Sequence, residues 1–139
     1  FTSILHPMVA TVYIYPAPGL VSIGSSPETV ANARALLTDS EFAKRKQEIL
    51  SVHPDAKLID ECDTTRTEKG KSYPGKMAVF EFEDVLFGSK TPLRSRLYLF
   101  CYIGGKWTVK YRFTHPRTVE VDEEIEEFIQ SIRWEDAGV

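Results

Sequence analysis

The stretch from Leu93 to His115 constrains the fold of this chain more than any other. It reads LRSRLYLFCYIGGKWTVKYRFTH, two runs of alternating side chains joined by Gly104-Gly105. Two such runs around Gly-Gly predict a β-hairpin with a two-residue turn, because glycine readily takes the positive φ angles that these turns need. In that register the large aromatic residues share one face of the hairpin: Tyr98, Phe100, Trp107, Tyr111 and Phe113.

The other face of the hairpin is also apolar. It carries four side chains of the first strand: Leu97, Leu99, Cys101 and Ile103. Side chains alternate between the two faces of a strand, so a hairpin that is apolar on both faces needs cover on both. We therefore expect a sheet with helices packed on it.

The segments before the hairpin supply strands and one or two helices. Met8–Tyr15 is apolar on both faces, which predicts an interior strand. A helix begins at Ser25 or Ser26, with Pro27 suited to its first turn, and ends before His53-Pro54. The step from Leu37 to Phe42 breaks the helical spacing, so the pattern predicts either a kink or a second helix starting near Thr38–Glu41.

The next segments complete the sheet. Ala56–Cys62 is a weaker strand, expected near an edge, and Lys76–Val85 alternates with its Phe80 and Phe82 face inward. The polar stretch Asp63–Gly75 lacks periodicity and predicts a long mobile loop. After the hairpin, Asp122 is the expected cap of a helix to about Arg133, whose apolar stripe comprises Val121, Ile125, Phe128, Ile129 and Ile132.

This order predicts an α+β fold, a mainly antiparallel sheet containing the hairpin 93–115 and covered by helices as an α-β-α sandwich. The 139 residues suit a single domain, 1–139. The net charge of −3 provides no general attraction for nucleic acid, and no apolar run reaches the roughly 20 residues that span a bilayer. Because the chain opens on Phe1 without methionine, we expect a signal or membrane anchor upstream and favour an extracytoplasmic or tethered location.

The sequence argues against catalysis. It contains no GxSxG, HExxH, phosphate-loop or dinucleotide motif. Cys62 and Cys101 are too far apart for a zinc or redox motif, and we expect both to be small buried side chains, with a disulfide as the alternative. The paired carboxylates, Glu81 with Glu83, are most simply a solvated face. We expect no cofactor and no metal.

The basic residues of the hairpin are the most suggestive candidates for binding. With a two-residue turn, Leu97 opposes Arg112 and Leu99 opposes Lys110, so these cations share the aliphatic face, while Arg94 and Arg96 join the aromatic one. A three-residue loop with a bulge would instead bring the cations and tyrosines together on one face. The simpler alternative is that the arginines reach solvent or pair with Glu81 and Glu83.

His115 is the histidine of most interest. The two-residue turn places it opposite Arg94, and a neighbouring guanidinium disfavours the charged imidazole. The candidate binding residues are therefore Arg94, Arg96, Tyr98, Tyr111, Arg112 and His115.

The C-terminal third resembles a known superfamily. The segments that carry the resemblance are RLYLFCYIGGKWTVKYRFTHP and EEIEEFIQSIRW, a long hairpin, a proline stop and a short acidic helix ending in Ser-Ile-Arg-Trp. They resemble the α-β-α sandwich superfamily of the photosystem II extrinsic protein PsbP, which also includes a eukaryotic Ran-binding protein and bacterial DcrB-like lipoproteins. The resemblance implies a binding or assembly module and transfers no catalytic residue. A nuclear-transport-factor-like cone is the alternative fold, and the terminal helix argues against it.

Two hypotheses about function follow. The first is a non-catalytic binding or assembly domain with a protein partner, working through its sheet face or the Asp63–Gly75 segment. The second is a small-molecule carrier or enzyme with a pocket between sheet and helix, lined by Tyr98, Trp107 and Tyr111.

Overall fold

The computed structural model describes residues 8–17, 26–86, 88–103 and 106–134. They form an α+β fold, a five-stranded antiparallel sheet with two helices. The elements in chain order are β1 (Val9–Pro16), α1 (Pro27–Val52), β2 (Lys57–Glu68), β3 (Lys71–Leu86), β4 (Ser89–Ile103), β5 (Trp107–Pro116) and α2 (Asp122–Ser131).

The strands are ordered β1-β5-β4-β3-β2 in the sheet. β2 lies at an edge, as the sequence predicts. β1 lies at the other edge, so the prediction of an interior strand is wrong. Its apolar residues are only partly covered there, and Tyr13 remains 51% exposed. An apolar residue pattern on both faces of a strand indicates that both faces are partly covered by other parts of the protein. It does not require a neighbouring strand along each edge of β1.

α1 is one continuous helix, which decides between the alternatives left by its sequence pattern. Ser26 is the N-cap and its hydroxyl accepts a hydrogen bond from the Thr29 amide at 3.2 Å, with Pro27 in the first helical position. No break occurs at residues 38–41, where the Thr38 hydroxyl donates to the Arg34 carbonyl oxygen at 2.7 Å. The helix ends at Val52, just before His53-Pro54.

The prediction that Asp63–Gly75 forms a long mobile loop is wrong. These residues continue β2 and β3 as a hairpin in which Asp63 pairs with Lys76 and Glu68 with Lys71. Lys69 and Gly70 form the connection with φ angles of +50° and +80°, the left-handed pair that a two-residue hairpin turn uses. Regular pairing with β3 holds residues 63–68 in a strand. Their side chains are mostly polar, so a search for apolar periodicity does not detect this strand.

The β4–β5 hairpin has the pairs that a two-residue turn predicts. Leu97 pairs with Arg112, and this register holds as far as Phe100 with Val109. It then shifts by one residue, so that Ile103 pairs with Trp107. Three residues connect this pair, so the predicted two-residue turn is wrong, although the register that it implies is present as far as Phe100. The shift is a bulge at Cys101–Tyr102. Gly104-Gly105, on which the predicted turn type depends, lies outside the described residues.

Two hydrophobic clusters occupy opposite faces of the sheet. The aromatic cluster includes Phe100, Tyr111 and Phe113, with Trp107 packed at its margin, and α2 contributes Ile125 and Ile129. This places Trp107 on the predicted face. Ile103 also belongs to this cluster, so its predicted position on the aliphatic face is wrong, because the bulge before it reverses the alternation. The aliphatic cluster joins α1 to strands β3 and β4; its buried members are Phe42, Ile49, Ala78, Phe80, Phe82, Leu93, Leu97 and Leu99.

α2 differs from its prediction at the N-terminus. Asp122 is the first helical residue, and the cap position is Val121, whose side chain makes no capping hydrogen bond. Val121, Ile125 and Ile129 are buried as predicted. The Asp122 carboxylate pairs with Arg96, an interaction between α2 and β4 that a local capping pattern does not contain.

Candidate functional site

The predicted binding residues are divided between the two faces of the sheet. Arg94 pairs with His115 and Tyr98 with Tyr111 on the aromatic face, whereas Arg112 pairs with Leu97 on the aliphatic face. This is the distribution that the two-residue register predicts. The six residues therefore do not form one common surface, and their role in binding stays a prediction.

The three arginines of this set have partners within the protein. Arg94 donates to the Glu81 carboxylate at 2.8 Å, Arg96 pairs with Asp122, and the Arg112 Nε donates to the Ser95 hydroxyl at 3.0 Å. Arg94 thus forms the ion pair with the neighbouring strand that the simpler alternative predicts. Its hydrogen bond and that of Arg117 hold the pKa of Glu81 below its ordinary value.

His115 is buried and electrically neutral near pH 7. Burial is the main cause that lowers its pKa, and the positive charges of Arg96 and Arg94 lower it further. Its Nδ1 lies 2.8 Å from the Pro116 carbonyl oxygen. A carbonyl oxygen only accepts, so Nδ1 carries the proton and donates it. Arg94 lowers the pKa of His115 as predicted, but the loss of hydration on burial lowers that pKa more.

Tyr111 belongs to a buried polar cluster that sequence reasoning missed. Its hydroxyl accepts hydrogen bonds from the Trp134 indole at 2.8 Å and from Arg66 at 3.1 Å. Arg66 also reaches Glu68 at 3.2 Å. Burial is the main cause that raises the pKa of Tyr111. The assignment of Arg66 and Glu68 to a loop concealed this cluster, which joins the β2–β3 hairpin to the end of α2.

The structure contains a cleft between α1 and the sheet with a cavity volume of about 520 Å³. One helix and three strands form it, and carbon atoms make up most of its surface. We call it the α1 cleft. Its lining residues are Ala31, Arg34, Ala35, Thr38, Asp39, Asp63, Thr64, Thr65, Tyr73, Pro74, Gly75, Lys76, Cys101 and Tyr102.

The position of the α1 cleft corrects the pocket that the sequence predicts. A pocket between sheet and helix is present, but Tyr98, Trp107 and Tyr111 do not line it. They lie in or against the aromatic cluster with α2, on the other face. The residues of the α1 cleft are brought together from distant parts of the chain, so the sequence pattern gave no sign of them.

An ion network closes one end of the α1 cleft. The Lys76 ammonium lies 3.1 Å from the Asp39 carboxylate of α1 and 2.8 Å from the Asp63 carboxylate of β2. Hydrogen bonds to these two carboxylates raise the pKa of Lys76. The cation and two anions leave this end with one net negative charge, and they tie the helix to the edge of the sheet.

Another part of the α1 cleft contains Arg34 and Tyr102. The Arg34 guanidinium lies over the Tyr102 ring, 5.1 Å from its centroid. Tyr102 has a φ of +62°, a left-handed conformation that is costly for a residue with a large side chain. The bulge that imposes this conformation also directs the ring beneath Arg34, so the strained residue forms part of the cleft.

Cys101 supplies a thiol to the α1 cleft. Burial is the main cause that raises its pKa above the ordinary value, so the neutral thiol dominates at neutral pH. Cys101 is partly buried, close to its predicted environment, whereas Cys62 is exposed and its prediction as a buried side chain is wrong. Both cysteines are free, so the disulfide alternative is not realised.

Comparisons with known proteins provide no relative for this chain. No family model, curated protein or solved structure matches it. Across residues 8–17, 26–86, 88–103 and 106–134, no group of three or more His, Cys, Asp or Glu side chains is placed to hold a metal ion. Among the helices in this part of the chain, none is long and apolar enough to cross a membrane.

Proposed function

We propose that this chain is a non-catalytic binding domain that holds a small organic ligand in the α1 cleft. The observation that carries the proposal is the size and character of the cleft. Its volume of about 520 Å³ lies within the range of roughly 300–1,000 Å³ common for small-molecule sites, and its walls are mainly apolar with a few polar groups. Such a composition favours an organic molecule over a free ion.

The chemistry of the lining residues supports binding rather than catalysis. Cys101 is the strongest potential nucleophile in the α1 cleft, yet burial raises its pKa and keeps it as a thiol. Reactive cysteines have the opposite property, a lowered pKa near positive charge. Lys76 is held between two carboxylates that raise its pKa, and a protonated ammonium is not a nucleophile.

We further infer that the architecture is an α-β-α sandwich, as the resemblance to the PsbP superfamily implies. The support is that α1 contributes Phe42 and Ile49 to one hydrophobic cluster, while α2 contributes Ile125 and Ile129 to the other.

Filling the α1 cleft should abolish ligand binding without unfolding the protein. Ala35 faces the cleft from an exposed position on α1, so we expect Ala35→Phe to place its ring where a ligand would lie. The probe is Nile red, a neutral dye whose fluorescence rises in apolar surroundings. We expect wild type to bind it and Ala35→Phe to weaken binding by about ten-fold, equivalent to about 1.4 kcal/mol.

Ala43→Phe is the matched control, because Ala43 is an exposed residue of the same helix that does not line the α1 cleft. It should bind the dye like wild type. Circular dichroism melting should be similar for all three proteins. Equal dye binding by both variants, or no fluorescence increase with wild type, would contradict the proposal.

A protein partner is the second proposal, with the edge strand β1 as its contact. The favouring observation is that β1 pairs only with β5 among the described strands, and that Tyr13 and Ile14 are 51% and 42% exposed. An extended segment of another protein could add to this edge through backbone hydrogen bonds. Its side chains would then cover the exposed apolar residues of β1.

A charge on β1 should prevent this association. We expect Ile14→Lys to lose a partner that wild type retains in affinity purification, because the ammonium would have to be buried at the contact. Val85→Lys is the control, since Val85 is exposed on β3 away from β1. Retention of the partner by both lysine variants, or by none of the three proteins, would refute the edge contact.

A further inference from the structure

We propose that the ligand of the α1 cleft is a singly charged carboxylate with an apolar body, and that Arg34 binds its carboxylate. This inference rests on the proposed function and specifies the class of ligand. Arg34 enters the cleft from α1, and Ala31 and Ala35 are among its walls. Unlike Lys76, which pairs with two carboxylates, Arg34 is a cation without a carboxylate partner among the described residues, and it lies in a mainly apolar cavity.

The Arg34 guanidinium is only partly satisfied by the protein. Its Nε is buried without a hydrogen-bond partner, and no carboxylate among the described residues forms an ion pair with it. Arg45 and Arg94 differ in this respect, since Arg45 pairs with Glu48 at 3.0 Å and Arg94 with Glu81 at 2.8 Å. A buried donor without a partner is costly. The terminal nitrogens of this guanidinium are not among the buried unpartnered atoms, so they are the donors that a ligand oxygen can reach.

Tyr102 holds the guanidinium in a defined orientation. The guanidinium carbon lies 5.1 Å from the ring centroid. A guanidinium that stacks on a ring uses its flat face and leaves its in-plane N–H groups free to donate. Planar N–H pairs match the two oxygens of a carboxylate. The strained backbone of Tyr102 places the ring in this position, which gives the left-handed residue a functional reason.

The charges of the α1 cleft favour one negative charge on the ligand rather than two. Asp39 follows Arg34 by five residues, about 7.5 Å along the helix axis. With Asp63 and Lys76 it leaves one net negative charge at that end of the cleft. The net negative charge there would repel a doubly charged phosphate. A ligand whose single carboxylate binds Arg34 would instead place its apolar body between Arg34 and the charged network of Lys76.

Displacement of Nile red by three ten-carbon compounds tests the charge preference. They are decanoate, decanol and decylammonium, each used below its micelle-forming concentration. We expect decanoate to bind wild type about ten-fold more tightly than decanol. Arg34→Gln should reduce decanoate to the affinity of decanol and leave decanol unchanged. Lys44→Gln, which removes a cation of α1 outside the cleft, should behave like wild type.

The outcomes separate this inference from the proposed function. If Nile red and decanol bind wild type but decanoate has no advantage, or Arg34→Gln retains it, the cleft binds ligands and the role of Arg34 is refuted. A preference for decylammonium would assign the charged contact to Asp39 and Asp63 and also refute it. If Nile red does not bind wild type at all, the proposed function itself fails, and this inference fails with it.

Discussion

Replacing Arg66 with methionine should lower the free energy of unfolding by about 3–5 kcal/mol, the cost of leaving a buried charge without its partner. Arg66 is only 3% exposed and lies close to the Glu68 carboxylate, which is also buried. Methionine keeps much of the side-chain volume but removes the guanidinium from the buried ion pair with Glu68. The loss is therefore electrostatic rather than a matter of packing.

Arg66 also completes the C-terminal end of α2. It donates to the Ile129 carbonyl oxygen at 2.6 Å and to the Ile132 carbonyl oxygen at 2.7 Å. Carbonyl groups in the last turn of a helix have no partner within the helix, and a cation there is favourable for the helix dipole. The Arg66→Met variant should therefore loosen α2 from the sheet as well as break the ion pair with Glu68.

Urea unfolding followed by circular dichroism measures this effect. Arg117→Met is the control, because Arg117 is exposed and its contact with Glu81 is long, 3.3 Å, so we expect a loss below about 1 kcal/mol. The double variant Arg66→Met with Glu68→Met should recover part of the stability, since it removes both charges. A double variant no more stable than Arg66→Met would show that the broken ion pair with Glu68 is not the cause.

Gly75→Ala should lower the free energy of unfolding by about 3 kcal/mol, the upper part of the range for an overpacked core. A Cβ at this position would lie 2.5 Å from Phe100 Cδ1 and 2.8 Å from the Leu99 carbonyl oxygen. The ring can rotate, but the backbone oxygen of a central strand cannot move without breaking the sheet. In a strand without this contact, alanine would instead be favourable by roughly 0.5–1 kcal/mol.

Shortening the opposing side chain tests the cause of this loss. In the Gly75→Ala background, Phe100→Leu removes the ring atoms that the new Cβ would meet. We expect the two losses in unfolding free energy to sum to more than the loss in the double variant, because neighbouring substitutions that relieve each other are not additive. Strict additivity, or a Gly75→Ala protein as stable as wild type, would contradict the contact.

Local patterns predicted several elements of this fold well. The start of α1 at Ser26-Pro27, the buried stripe of α2 and the pairing of Leu97 with Arg112 all follow from interactions between residues close in sequence or across one short connection. Such interactions are encoded by side-chain period and by capping residues. The same approach failed for residues 63–75, because a strand with polar side chains has no apolar period to detect.

The site could be predicted only in part. That a pocket would lie between helix and sheet followed from the expected layers, but its lining did not. In the sequence, Arg34 is one of several cations of the predicted helix. The residues close to it in sequence do not indicate that it contacts Tyr102. Their contact depends on a bulge in β4. A one-residue register shift of this kind is decided by packing around the strand rather than by its own sequence.

The sequence by itself determined which hairpin residues face each side of the sheet, because period-two alternation is a property of the extended backbone. The two faces of the hairpin therefore follow from the order of the residues alone over 93–100 and 107–115, whereas the bulge places Ile103 in the aromatic cluster and Tyr102 against Arg34. The tertiary structure alone decided which polar residues are buried. Arg66 donates hydrogen bonds to Tyr111 and Ile129, which lie 45 and 63 residues later in the sequence. Burial of a charge depends on partners supplied by other elements, and those partners meet only when the chain has folded.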